Sequence, residues 1–480
     1  MTHQRDHLRP APPYQLSRPT IASRVRHRGL RSLTMPSIVL ILLIFTMQGG
    51  QTDAVMPGGQ STIDVTVPFN QLFKAAYLAN LATQRLRYQA WLQLVSTEKP
   101  PEDNNINPPP NMVAKGVTLS REVRQTAAGP ELISMLNIDL TNPTVRLGVV
   151  QAYNRLISPA ETLSKMANNS GAVAGINGDF FDIHSTNVPI GEEVINGHLL
   201  HSPNPQFYAV LGVTSSRRLS IGPEYFSGNV TDGKASYPLY SINHYSEINN
   251  GRLVLFTPDL GKPDYIGGDP VAIIQPIAGS STSFRVKSVY SGAAWLGALS
   301  GQDALVASGY SAYWLTTTLH RGDLISVTER IFPDGQLFQA IGGGPQVVMD
   351  GAPYYDPNQP AAREVYTLNP QTAVGVTKDG AHVLFAVFDG RLAGPWRSRG
   401  MTYAEVADFM LAHGAYNAML FDSGGSSEMV ARLPGQQAVS VINWPSGGFE
   451  RPLANGLFVY SIHAVHAIGS PRKWIVVPYD

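Results

Sequence analysis

Four aspartates follow apolar, strand-like runs. Asp179 and Asp182 follow the run 172–177, Asp389 follows His382–Phe388, and Asp422 follows Asn417–Phe421. Cleavage of a glycosidic bond generally uses two carboxylates flanking it. They stand about 5–5.5 Å apart for retention of configuration and about 6.5–9.5 Å apart for inversion. Arg391 and Arg451 sit beside these acidic motifs, and a guanidinium matches phosphate oxygens bidentately. Two glycine runs, Ile341-Gly-Gly-Gly-Pro345 and Ser423-Gly-Gly-Ser426, let backbone approach a ligand and offer N–H groups to an anion. Each feature also has a plain structural reading. Asp-Gly pairs are ordinary turn chemistry, glycine runs make tight turns, and an arginine can serve in a surface ion pair.

Other chemistries lack their motifs. The chain has no cysteine, which excludes disulfide scaffolds, thiolate-held metals and thiol nucleophiles. Ser426 and Ser427 follow two glycines, but there is no G-x-S-x-G nucleophile elbow. Twelve histidines include no H-E-x-x-H, and neither G-x-G-x-x-G nor a P-loop occurs. The Asp/Asn cluster at 177–182 offers oxygen ligands of the kind Ca²⁺ takes, without EF-hand spacing. Lys plus Arg equals Asp plus Glu, 35 each, so nothing global points to nucleic acid.

These residues need elements to position them. Thr402-Tyr-Ala-Glu405 is a capping box that opens a helix through Val406, Phe409 and Met410, and Gly414 can stop it. The helix lies between the runs His382–Phe388 and Asn417–Phe421, giving strand–helix–strand. If those strands are parallel, Asp389 and Asp422 leave the sheet at one edge, where α/β folds place ligands. Asn177 and Asp179 can join them. Ser158-Pro-Ala-Glu161 reads as a second capping box, starting a helix that ends near Asn169–Gly171. Residues 207–335 hold short alternating runs split by Gly, Pro, Asn and Asp, a β-rich body.

The expected class is mixed α/β: a central mixed sheet with flanking helices, a β-rich inserted subregion and an N-terminal helical extension. The 480 residues include 45 glycines and 36 prolines, and 43% are hydrophobic. That supports a large, turn-rich core.

The neutral balance hides an asymmetric N-terminus. Residues 1–35 hold seven arginines and one acid, and the apolar run 36–47 follows. That run is short for a membrane span, which needs about 20 residues. A basic stretch, a short apolar run and small residues are the pattern of a secretory signal. We therefore expect a signal peptide or membrane anchor at 1–54 and a secreted or cell-envelope location. A helical arm and Pro-rich linker follow at 55–111, then the main domain at 112–465 and a C-terminal tail at 466–480.

Several motifs occur in a telling order. They are Ile176-Asn-Gly-Asp-Phe-Phe-Asp182, Pro189-Ile-Gly191, Ile341-Gly-Gly-Gly-Pro345, Gln371-Thr-Ala-Val-Gly375, Asp389-Gly-Arg391, Leu420-Phe-Asp-Ser-Gly-Gly-Ser-Ser427 and Arg451-Pro-Leu-Ala-Asn455. Residues 112–465 so read resemble the phosphodiester glycosidase family. The resemblance implies hydrolysis of a sugar–phosphate diester at the anomeric carbon, releasing sugar and a phosphomonoester. It implies that Asp389 and Asp422 are the central carboxylates, assisted by Asp179 and Asn177. Arg391, Arg451 and the amides of Gly342, Gly343, Gly344, Gly424 and Gly425 would hold phosphate. Gln371, Thr372, Ser426 and Asn455 complete the implied substrate contacts.

The chain departs from the family pattern twice. Gln371 stands where the family has arginine, and Ser423 where it has glycine. Two other readings follow from these features. One is a non-catalytic glycan-binding protein on this scaffold. The other is a metal-assisted phosphodiesterase using the Asp cluster.

Overall fold

A computed structural model describes residues 112–462, except 127–128, 204–208, 245–250, 262–267, 293–298, 300, 355–366 and 393–397. The apolar run 36–47, the expected helical arm and Pro-rich linker at 55–111 and the tail 466–480 lie outside the described residues. The chain divides into two compact units, Met1–Ala79 and Asn80–Asp480, and every described residue belongs to the second.

Among the described residues four sheets build this unit. The first has eight strands and carries the Asp389 and Asp422 motifs. In spatial order its inner strands are Val117–Thr126, Gly129–Asp139, His382–Phe388, Gln371–Val376, Asn417–Leu420 and Gln346–Met349. All neighbours in it are antiparallel. His382–Phe388 and Asn417–Leu420 each pair antiparallel with Gln371–Val376, which lies between them. They therefore run the same way, and Asp389 and Asp422 leave the sheet at one end. The α/β class holds, while the sheet expected to be mixed in direction is antiparallel between all its neighbours. A strand inserted between the two parallel ones produces this.

The helix Tyr403–Ala412 connects those strands. Thr402 accepts from the Glu405 amide, and Glu405 returns a carboxylate to the Thr402 amide. The box satisfies two of the four amides that a helix start leaves unpaired. Val406, Phe409 and Met410 pack on Leu384, Ala386, Phe388 and Leu420. Phe388 meets Phe409 edge-on at 5.1 Å. Phe385 and Val387 point the other way, into a core shared with Ile176, Phe421, Met429 and Leu457. This strand is buried on both faces, which is why it reads as a continuous apolar run.

The second core layer is a five-stranded antiparallel sheet. It orders Ser440–Val441, Met429–Ala431, Ala174–Asn177, Asn455–Ser461 and Val145–Gln151. Another five-stranded sheet includes Glu193–Ile195, His198–His201 and Gln339–Gly342. The expected β-rich body is the fourth sheet, of eight strands between Tyr225 and Phe332, with its own core around Val230, Leu255, Ile274 and Ile325.

One local expectation fails. The helix Leu163–Ser170 starts after Thr162, not at Ser158. Ser158 closes a small turn by accepting from the Ala160 amide. Glu161 bridges to Leu453, accepts from the Tyr153 amide and pairs with Lys165. Tertiary partners thus take the groups a capping box would use. The helix does end at Gly171, whose φ of 74° lies in the left-handed region glycine favours.

Candidate active site

The ends of two sheets meet at Asn177. It is fully buried and ends the strand Ala174–Asn177. Its Oδ1 accepts from Thr372 Oγ1 at 2.7 Å and from the Glu428 amide at 3.0 Å. Its Nδ2 donates to the Asp422 carbonyl at 2.7 Å, and the Asp422 amide donates to the Gly178 carbonyl at 3.0 Å. The segments carrying Asp179 and Asp422 are therefore locked side by side. Asp422 itself is half-buried.

Asp179 is buried and held from two sides. The Gly191 amide donates to its Oδ2 at 2.6 Å, and its own amide donates to Asn455 Oδ1 at 2.9 Å. Asn455 also donates to Glu193 at 3.0 Å, and Gln151 donates to the other Glu193 oxygen at 2.6 Å. Burial is the main force pushing the Asp179 carboxyl up to about 8; Glu193 and Asp422 push the same way, against the Gly191 amide. Burial likewise raises Glu193 to about 7. Asp179 is thus a neutral acid near neutral pH, and its Oδ1 is buried with no hydrogen-bond partner among the described residues.

Asp389 follows its strand as expected, but it is buried under another turn. Its Oδ1 accepts from the Trp444 amide at 2.9 Å and from Asn443 Nδ2 at 3.1 Å. Burial raises it to about 8, and Glu131 and Arg121 are the charges acting on it. Glu131 in turn holds Ser398 and the Gly400 amide, and Ser398 donates to the Asp389 carbonyl. Asp422 acts electrostatically on Asp179.

Both expected arginines reach the turn after Asp422. Arg391 has a left-handed φ of 57°, is exposed, and donates to Asn369 at 2.8 Å. A Cβ added to Gly424 would stand 3.1 Å from its guanidinium. Arg451 donates to Ser426 Oγ at 3.3 Å and lies directly against Gly425, where an added Cβ would collide with it. Two cations thus flank the 424–426 turn.

Other expected contacts are placed differently. The amides of Gly342, Gly343 and Gly344 donate to the carbonyls of Glu192, Ala209 and Leu420, so that run is not the expected anion cradle. Close packing explains its glycines: a Cβ at 342 would stand 2.9 Å from Asp179 Oδ2, and one at 343 would stand 2.6 Å from the Leu420 carbonyl. The Gly424 amide is taken by the Pro370 carbonyl. Gln371 is fully buried and donates to the Met401 carbonyl at 3.1 Å, and its Oε1 has no partner among the described residues.

Sequence reasoning missed Glu193, Gln151, Asn443 and Glu428. Glu428 is buried beside Asn177 and rises to about 9 because of burial and the nearby Glu450 charge. None of these residues belongs to a recognisable motif; their burial arises from sheet packing. Asp182 is spent on its own turn, accepting from Thr186 and the His184 amide. Among the described residues no three His, Cys, Asp or Glu side chains gather as metal ligands, so the Ca²⁺ expectation gains no ligand group. No helix among them is long and apolar enough to cross a membrane.

Comparison with known families bears on this constellation. Residues 296–460 match the family model described as phosphodiester glycosidase. The match contains Asp389, Arg391, Asp422, Arg451 and Asn455, while Asn177 and Asp179 precede it. Comparison with curated proteins finds no match. A hypothetical protein from Synechocystis aligns with a TM-score of 0.60 at 17% identity, over 72% of this chain and 62% of that one. This chain therefore spans 62% of the Synechocystis protein's length. A Burkholderia pseudomallei protein described as a candidate exported protein aligns with a TM-score of 0.54 at 20% identity, over 69% and 74% of the two chains. Both support the fold. The catalytic domain of zebrafish N-acetylglucosamine-1-phosphodiester alpha-N-acetylglucosaminidase, auto-inhibited by its pro-peptide, aligns with a TM-score of 0.38 at 14% identity, over 74% and 85%.

Proposed function

We propose that this chain hydrolyses a sugar-1-phosphodiester at the anomeric carbon, acting outside the cytoplasm on envelope or exopolysaccharide material. One observation carries the reading. Asp422, half-buried, stands beside the neutral acid Asp179 and before a turn flanked by Arg391 and Arg451. Arg391 and Arg451 hold the phosphate oxygens, where paired guanidinium contacts are strongest. The leaving phosphate is already a stabilised anion, with a second pKa near 6, so it needs less protonation than an alcohol. Asp422 supplies the carboxylate that activates water or traps the oxocarbenium-like centre. Asp179, protonated, donates a hydrogen bond to the sugar. Asn177 and Asp389 position their neighbours: Asn177 the Asp422 backbone, Asp389 the Trp444 turn.

A second reading is a glycan-binding protein without turnover. Gln371 favours it, because a buried amide occupies the place of the family's arginine. Incubating the full chain with an N-acetylglucosamine-1-phosphomethyl diester, followed by mass spectrometry, separates the two. Sugar release that is lost in Asp422→Asn, with folding retained, supports hydrolysis. Binding with no release selects the second reading.

A further inference from the structure

The segment Gly191–Glu193 supports Asp179 through its first and third residues. Glu192, between them, lines a cavity of about 420 Å³ lying between residues 194–199 and 329–337. Glu192 is 1% exposed, and neither carboxylate oxygen has a hydrogen-bond partner among the described residues. Buried polar groups are nearly always paired, and an unpaired one calls for an explanation. Glu224 and Asp334 act on it electrostatically and share a hydrogen bond. Burial first, then these two like charges, pushes the Glu192 carboxyl well above the ordinary range. Glu329, Arg330 and His198 line the cavity too, and His198 is paired with Asp259 at 2.8 Å. Leu199, Ile331 and Leu337 give the otherwise polar wall an apolar side.

The shape and charge select a class of ligand. Ca²⁺ takes six to eight oxygens, and no three acidic or histidine side chains gather here to enclose an ion. The volume falls in the range of about 300–1,000 Å³ that small molecules occupy. A buried acid in a cavity with an aliphatic side suits a cation carried on a short hydrocarbon chain. We propose that this cavity binds a short aliphatic amine as its ammonium ion, with Glu192 as the counter-ion.

The proton balance follows directly. A protonated Glu192 carboxyl gives up its proton to solvent when it pairs with the ammonium ion, and burial favours that protonated form in the empty cavity. The inference does not depend on the hydrolytic reading, since it concerns binding alone.

Titration calorimetry of the full chain with 1,4-diaminobutane tests it. Repeating the titration in two buffers of different ionisation enthalpy counts the protons. The expected result is saturable one-to-one binding that releases a proton and strengthens from pH 6 to pH 8. Glu192→Gln, an isostere of the neutral acid, should weaken it at least tenfold, and Glu329→Gln several-fold. No saturable binding, a buffer-independent heat, or full affinity in a folded Glu192→Gln protein would overturn the proposal. Should Glu192→Gln not fold by circular dichroism, unchanged affinity in Glu329→Gln would overturn it instead. Calcium chloride binding with the same Glu192 dependence would also do so, by making this a metal site.

Discussion

Replacing Asp179 with asparagine should change how stability responds to pH. Unfolded, the carboxyl titrates near 3.8; in the native site burial raises it to about 8. Between those values the folded state keeps a proton that the unfolded state has lost. Its contribution is therefore fully present below the unfolded pKa and is lost as pH rises through the folded one. The slope is about 1.4 kcal/mol per pH unit for one group. From pH 5 to pH 7 the native protein should lose about 3 kcal/mol through Asp179 alone. Asparagine does not titrate, and its amide can keep the Gly191 contact. Urea unfolding of both proteins at pH 5 and pH 7 gives the difference. Relative to wild type, Asp179→Asn should gain about 3 kcal/mol over that interval. The other raised acids, Asp389 and Glu428, are present in both proteins and largely cancel. Parallel curves for the two proteins would mean that Asp179 is ionised in the native state throughout. The role of neutral hydrogen-bond donor would then fall.

Three further outcomes follow from the same geometry. Asn177→Ala leaves Thr372, the Glu428 amide and the Asp422 carbonyl without their shared partner, and should cost about 2–4 kcal/mol in urea unfolding; a cost below about 1 kcal/mol would contradict the locking role. Gly425→Ala drives its Cβ onto the flexible end of Arg451, so melting temperature should hold while KM for a phosphodiester rises at least tenfold, the scale of one lost charged hydrogen bond, about 1.5–3 kcal/mol. Thr402→Ala removes the helix cap and should cost about 1 kcal/mol, read by thermal unfolding, with no effect on turnover.

What the sequence discloses tracks how local the physics is. The Thr402–Glu405 box is legible because both partners lie within one turn. The Ser158–Glu161 box has the same spelling and fails, because Tyr153, Lys165 and Leu453 compete for Glu161 from outside the turn. The strand ends bearing Asp389 and Asp422 are legible from apolar runs that stop at an acid. Their division of labour is not, since it depends on Asp389 meeting Asn443 and Trp444 while Asp422 meets the Asp179 segment. The Gly342–Gly344 run looks like an anion cradle in one dimension. Only the sheet register shows its amides already taken and its missing side chains making room for Asp179 and Leu420. Glu193 and Glu428 carry no signal at all. Each is an ordinary glutamate until sheet packing buries it.

The central claim is cleavage of the bond between sugar carbon and phosphate oxygen. Hydrolysis of a sugar-1-phosphodiester in ¹⁸O-labelled water, with mass spectrometry of both products, tests it most directly. The account predicts the label at the anomeric hydroxyl of the released sugar, with unlabelled phosphomonoester. Label in the phosphate would place the attack at phosphorus and make the protein a phosphodiesterase.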